Sequence, residues 1–79
     1  MKNILLIDDE EKLRSLLTRL ISMEGFEVIQ APDCKTATKK LDQHDIDVVL
    51  CDVKLPDCHG VDFLSTIKKK YPLIEVILL

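Results

Sequence analysis

Apolar residues fall into four short segments that are typical of strands. Residues 4–7 and 48–51 are continuous apolar runs, and residues 74–79 form a third run interrupted only by Glu75. All three runs predict strands, and the first is expected of a strand covered on both faces. Residues 26–31 alternate between apolar and polar less cleanly, which favours a half-solvated strand at a sheet edge.

The segments between these runs carry the spacing of amphipathic helices. In the first, apolar residues recur every three or four positions and Gly25 follows, where a left-handed residue commonly ends a helix. Pro32 and Asp33 predict a turn and N-cap for a second helix, which directs Ala37 and Leu41 inward from a thin apolar face. The apolar positions of the first helix are Leu13, Leu16, Leu17, Leu20 and Ile21, and those of the third, which Pro72 ends, are Phe63, Leu64, Ile67 and Tyr71.

Strands therefore alternate with helices in the order β-α-β-α-β-α-β. This order predicts parallel strands joined by right-handed crossovers, and hence a doubly wound α/β sheet. Functional residues of such sheets gather at the carboxyl ends of the strands.

Composition excludes several classes of function. Apolar residues make up 47% of the 79 residues and charged residues 32%, with a net charge of −3, as in one soluble domain. No like-charge run exceeds the one at Lys68–Lys70, so we expect no direct binding to nucleic acid. The first apolar run is too short for a signal peptide or a membrane span, which predicts a cytoplasmic protein.

The three cysteines, Cys34, Cys51 and Cys58, form no CxxC pair. Their odd number and spacing argue against a disulfide framework and favour reduced thiols in the cytoplasm. We expect Cys51 to behave as a small core residue. Cys58 and His59 lie on one predicted loop, but two ligands without others at suitable spacing do not predict a zinc site.

Three carboxylates follow two of the predicted strands. Asp8 and Asp9 end the first strand and Asp52 ends the third. Asp8 or Asp9 alone could serve to cap the following helix, but Asp52 precedes no helix. Two such charges roughly 4 Å apart repel by about 4 kcal/mol at an effective dielectric of 20, a repulsion that a divalent cation would relieve. Mg²⁺ prefers such ligands, and an aspartate beside it can serve as nucleophile in phosphoryl transfer.

These residues resemble those of bacterial response-regulator receiver domains. Residues 4–10, ILLIDDE, look like the first strand and acidic pair of that family, and residues 50–60, LCDVKLPDCHG, look like its phosphoacceptor segment. The distances from Asp52 to Pro56 and to Gly60 also follow the family pattern. The resemblance covers essentially the whole chain.

The resemblance implies specific roles. Asp52 would be the phosphoacceptor, and Mg²⁺ would be held by Asp8, Asp9, Asp52 and the backbone carbonyl of Lys54. The fold would be flavodoxin-like with strand order 2-1-3-4. A sensor histidine kinase would donate the phosphoryl group, and an effector or output domain would respond.

Two alternatives use the same residues differently. A pseudo-receiver would keep the fold as an interaction module without being phosphorylated. A phosphatase of the haloacid-dehalogenase type also uses an aspartate nucleophile and Mg²⁺. That family has a second aspartate two residues after the first, where this chain has Glu10.

The resemblance also suggests that residues 1–79 form only part of a receiver domain, ending within the fourth strand. The family's conserved Ser or Thr and its conserved Lys would lie beyond Leu79, so we expect impaired phosphorylation of this chain alone. Apolar residues 76–79 would form an open strand edge. Such an edge predicts self-association.

Overall fold

The computed structural model describes residues 2–79, which form one four-stranded sheet and three helices. The elements are β1 (Asn3–Ile7), α1 (Glu11–Met23), β2 (Glu27–Ala31), α2 (Cys34–Gln43), β3 (Val48–Cys51), α3 (Gly60–Lys70) and β4 (Glu75–Leu78). Every strand pair is parallel, and the order is β2-β1-β3-β4, as predicted for a flavodoxin-like sheet. The predicted edge position of β2 is also confirmed.

The main core lies between one face of the sheet and helices α2 and α3. Alternate strand residues point to this face, because side chains of a strand alternate between its two sides. They pack with residues from α2, α3 and their loops, and the fully buried members include Leu5, Ile7, Val49 and Cys51. The prediction that Cys51 is a core residue is therefore confirmed.

The ends of α1 and α2 are formed as their sequences predict. Gly25 follows α1 with a φ of 94°, a conformation that glycine adopts without steric penalty. The Asp33 carboxylate accepts a hydrogen bond from the Thr36 amide at 2.7 Å and so caps α2. Ala37 and Leu41 of α2 are buried, as expected.

Helix α1 buries little of its apolar face. Its helical period is correct, yet Leu13, Leu16 and Leu20 remain 40%, 51% and 50% exposed. On β3, Val49 and Cys51 are buried whereas Val48 and Leu50, which point to the other face, are only half-buried. The second face of the sheet is therefore covered less completely than the first. Among the helices of residues 2–79, none has the length and apolar character needed to cross a bilayer.

Candidate phosphoacceptor and metal site

The three acidic residues singled out in the sequence meet at one edge of the sheet. β1 and β3 are paired neighbours in which Ile7 lies opposite Cys51, so the residues that follow, Asp8 and Asp52, stand side by side. One carboxylate oxygen each from Asp8, Asp9 and Asp52 can be chosen so that all three lie within 4.8 Å of one another. The parallel pairing of two strands that end in aspartate produces this cluster directly.

Asp8 is the rigid member of the cluster. It is only 3% exposed, and its backbone amide donates to the Ala31 carbonyl at 3.1 Å. The Arg14 guanidinium donates to the Asp8 carbonyl at 2.8 Å, a contact that the sequence did not reveal. The Asp8 carboxylate accepts from the Glu10 amide at 2.9 Å, and no side chain caps α1. Capping of the first turn of α1 therefore does not account for Asp8.

Asp52 and Asp9 open the cluster towards solvent. Asp52 is half-buried and Asp9 is exposed. The Asp52 amide donates to the Ile7 carbonyl at 2.9 Å, which continues the pairing of β1 with β3. The Asp52 carboxylate accepts a long hydrogen bond of 3.4 Å from the Lys54 amide. A carboxylate with one weak internal partner and access to solvent is available to a ligand.

Among the residues that the structure describes, no cationic side chain pairs with the carboxylates of the cluster. Within residues 2–79 the only ion pair joins Lys70 to Asp42 at 3.5 Å, at the C-terminal ends of α3 and α2. Beneath the cluster, burial, then Asp52 and then Asp8 raise the pKa of the Cys51 thiol to about 11. Three hard oxygen donors with uncompensated charge suit Mg²⁺, so the residues present fit the predicted metal.

The loop between β3 and α3 folds back beside Asp52. Lys54 and His59 form an antiparallel bridge, and the Gly60 amide donates to the Val53 carbonyl at 2.8 Å. These contacts keep Lys54 next to Asp52. The assignment of the Lys54 carbonyl as a metal ligand stays a prediction.

The expectation of three reduced thiols is wrong for two of them. Cys34 and Cys58 are joined in a disulfide, with Cα atoms 6.2 Å apart, whereas Cys51 is free and buried. The two partners are 24 positions apart in the chain. They meet because the N-terminus of α2 and the β3–α3 loop both lie at the carboxyl edge of the sheet. Cys58 therefore pairs with Cys34 and not with its neighbour His59.

Asp57 is a second residue whose role the sequence did not reveal. Its carboxylate accepts from the Cys34 amide at 2.8 Å and from the Lys35 amide at 2.9 Å. These amides belong to the first turn of α2, where helices leave N–H groups without partners. Asp57 thus attaches the β3–α3 loop to α2. Only its position on a loop at the same edge of the sheet could have suggested this contact.

Comparison with known sequences identifies relatives along the whole chain. The family model described as the response regulator receiver domain matches residues 4–79. The transcriptional regulatory protein CpxR of Escherichia coli K12 is 44% identical over 71 residues, which cover 90% of this chain and 30% of CpxR. The alkaline phosphatase synthesis transcriptional regulatory protein PhoP of Bacillus subtilis is 31% identical over 99% of this chain and 32% of its own length. The chain thus spans about a third of these curated relatives.

Solved structures share the fold. The response regulator TrrA of Thermotoga maritima, determined in complex with Mg²⁺-BeF, superposes with a TM-score of 0.93 at 35% identity, over 99% of this chain and 68% of that one. A structure of the histidine kinase ThkA in complex with TrrA contains a chain that superposes with a TM-score of 0.92 at 35% identity, over 99% of this chain and 67% of that one.

Proposed function

Because the chain belongs to the response regulator receiver domain family, we propose that Asp52 accepts a phosphoryl group from a sensor histidine kinase. The observation that carries this proposal is the convergence of Asp8, Asp9 and Asp52 within 4.8 Å, without a protein counter-ion in residues 2–79. Such a site suits a divalent cation and a phosphoryl group together, because the cation offsets the negative charge of the carboxylates and of the phosphoryl oxygens.

The proposed metal ligands are Asp8, Asp9, Asp52 and the backbone carbonyl of Lys54. Bound Mg²⁺ would neutralise charge on the transferring phosphoryl oxygens. Asp8 supplies a fixed anchor, since its backbone is bonded to β2 and to Arg14. Asp9 is exposed and adjusts to the ion, and the folded-back loop keeps Lys54 beside Asp52.

In the transfer itself the Asp52 carboxylate serves as the nucleophile. One of its oxygens attacks phosphorus, and the bond from phosphorus to the kinase imidazole nitrogen breaks. The electron pair of that bond stays on the imidazole, and an acyl phosphate forms on Asp52. The long hydrogen bond from the Lys54 amide holds one oxygen of Asp52 loosely, which leaves the carboxylate free to align with the incoming phosphorus.

The proposed output is a switch in an effector or output domain. The structure of TrrA with the kinase ThkA supports a kinase as the donor for this chain as well. The net charge of −3 supports signalling through protein partners rather than direct contact with nucleic acid. We assign this role to the cytoplasm, where receiver domains meet their kinases.

We also propose that this chain self-associates. β4 ends one side of the sheet, and Ile77, Leu78 and Leu79 are 44%, 42% and 52% exposed. An apolar strand edge pairs readily with another chain. Size-exclusion chromatography with light scattering should detect a dimer or larger assembly at micromolar concentration, and a monomer at all concentrations would contradict this proposal.

Phosphorylation is tested by incubating the chain with acetyl phosphate and Mg²⁺, followed by intact-mass measurement. We expect a gain of one phosphoryl group that is slower than in a complete receiver domain and that Asp52→Asn abolishes. Asp62→Asn is the control, because Asp62 is an exposed carboxylate in the first turn of α3. A chain that binds Mg²⁺ but gains no mass would be a pseudo-receiver. Sustained hydrolysis of phosphate esters would indicate the phosphatase.

Metal binding is tested separately by thermal unfolding at increasing Mg²⁺. An ion that binds only the folded chain raises its melting temperature, by an amount set by the ratio of its concentration to the dissociation constant. The Asp9→Asn variant should lose most of this shift, whereas Asp62→Asn should retain it. An unchanged shift in Asp9→Asn would contradict the proposed ligands.

A further inference from the structure

The β3–α3 loop is fastened to α2 at its tip by two neighbouring residues. Cys58 is linked to Cys34 through the disulfide, and Asp57 accepts hydrogen bonds from two amides of the first turn of α2. The base of the same loop carries Lys54 beside Asp52. One short loop thus connects a pair of cysteines to the proposed phosphoacceptor.

We propose that Cys34 and Cys58 are a reversible redox pair, oxidised by a small-molecule disulfide such as oxidised glutathione, whose disulfide raises the Mg²⁺ affinity of the Asp8–Asp9–Asp52 site. The redox pair stands on the position of the two cysteines alone. Its coupling to Mg²⁺ rests on the proposed function.

The position of the two cysteines favours a bond that forms within the folded chain. Their Cα separation of 6.2 Å lies in the range that disulfides span without backbone movement. Cys34 is 7% exposed, while Cys58 is only half-buried and is the sulfur that a reagent reaches first. Cys51, at 0% exposure in the core, is shielded from the same reagent.

The exchange balances without any other reactant. The Cys58 sulfur, as thiolate, attacks oxidised glutathione, forms a mixed disulfide and releases one molecule of glutathione. The Cys34 thiolate then attacks the Cys58 sulfur, which forms the protein disulfide and releases the second glutathione. Two electrons pass from the protein sulfurs to glutathione, and the two thiol protons end on the two released glutathione thiols.

Contacts within the β3–α3 loop connect the disulfide to the proposed Mg²⁺ site. Cys58 precedes His59, which is bridged to Lys54, and the Lys54 amide contacts the Asp52 carboxylate. In the oxidised chain a covalent bond fixes the loop tip, whereas in the reduced chain the Asp57 hydrogen bonds hold it without that covalent link. A loop that is already ordered loses less conformational entropy when its base binds an ion. The oxidised chain should therefore bind Mg²⁺ more tightly.

The test compares the same chain after equilibration with oxidised or reduced glutathione. Alkylation with N-ethylmaleimide after unfolding should add one group to the oxidised chain, on Cys51, and three to the reduced chain. The oxidised chain should melt about 10 °C higher. Its Mg²⁺ dissociation constant, from melting shifts, should be about fivefold lower or more.

Variants separate the pair from the third cysteine. Cys58→Ser should match the reduced wild-type chain in both redox buffers, whereas Cys51→Ala should still form the disulfide. Amide hydrogen exchange of residues 53–60 provides a readout independent of Mg²⁺, and it should slow on oxidation.

Each adverse result has a distinct meaning. Three alkylated cysteines after treatment of the folded chain with oxidised glutathione would overturn the redox pair. Equal Mg²⁺ affinity in the two redox states would overturn the coupling. No Mg²⁺ shift in either state would overturn both the coupling and the proposed metal site, while the alkylation result would still decide the redox pair.

Discussion

Replacing Gly60 with alanine tests whether close packing at the start of α3 positions Asp52. Gly60 is the first residue of α3, and its amide is bonded to the Val53 carbonyl. An added Cβ would lie 2.5 Å from the carbonyl oxygen of Asp52, 2.7 Å from that of Val53 and 2.9 Å from the Val53 Cα. Carbon atoms pack best at about 3.5–4.0 Å, so the backbone on one side must move by about 1 Å.

The expected loss of stability follows from two opposing effects. Overpacking in a tight site costs about 1–3 kcal/mol, and the upper half of that range applies because the atoms in the way are backbone. Alanine regains up to about 1 kcal/mol through its better helix propensity. The net loss of about 1–3 kcal/mol should lower the melting temperature by about 4–24 °C for a chain of this size.

The decisive readout is the response to Mg²⁺, measured by thermal unfolding with circular dichroism. Gly60→Ala displaces the backbone that carries Asp52 and should lose most of the Mg²⁺-induced rise in melting temperature. Gly25→Ala is the control, because it strains a residue at φ 94° with no atom within 4 Å of the added carbon. It should lose about 1–2 kcal/mol in the same assay yet keep its Mg²⁺ response.

Two outcomes would refute this reasoning. If Gly60→Ala kept both the wild-type melting temperature and the wild-type response to Mg²⁺, the close approach of α3 to Asp52 would not constrain the site. If Gly25→Ala lost the Mg²⁺ response equally, the loss would reflect lower stability and not the position of Asp52.

Three further results are expected from single residues at or near this edge of the sheet. Asp57→Ala leaves two first-turn amides of α2 without their acceptor and should cost about 1 kcal/mol in urea unfolding; an unchanged midpoint would refute the contact. The hydrogen bond from the Thr36 amide lowers the pKa of Asp33 in the folded chain. The stability that the ionised Asp33 gives the fold is therefore present above the pKa of Asp33 in the unfolded chain, and it is lost as the pH falls through the lower pKa of the folded chain. Asp33→Asn should therefore lose less stability than the wild type between about pH 6 and pH 2.5, by the same urea assay. Burial raises the pKa of the Cys51 thiol to about 11. The stability that the buried neutral thiol gives the fold is therefore present below the pKa of Cys51 in the unfolded chain, and it is lost as the pH rises towards 11. Iodoacetamide at about pH 8 should accordingly modify Cys51 only after the chain is unfolded.

The sheet and its acidic cluster could be predicted because both follow from local pattern. Continuous apolar runs that end in aspartate define strands whose carboxyl ends must meet in a parallel sheet. The mixed pattern of residues 26–31 placed β2 at an edge, and Asp33 identified the start of α2. The adjacency of β1 and β3, which brings Asp8 and Asp52 together, needed more than local pattern, and the resemblance to receiver domains supplied it.

The contacts between loops could not be predicted in this way. Nothing in the spacing of Cys34 and Cys58 signals a bond across 24 positions, and Asp57 resembles any exposed loop acid. Similarly, the leucines of α1 revealed the helical period, but not that Leu16 and Leu20 would be about half exposed. Periodicity identifies the apolar face of a helix, whereas the extent of its burial depends on what packs against it.

The central claim, that Asp52 is the phosphoacceptor, is tested most directly by locating the modified residue. After incubation with acetyl phosphate and Mg²⁺, borohydride reduces an aspartyl phosphate to homoserine, and tandem mass spectrometry identifies its position. The account predicts homoserine at Asp52 and at no other acidic residue, with none formed in Asp52→Asn. Homoserine at Asp57 or Asp9 with Asp52 intact would contradict it, as would the absence of homoserine altogether.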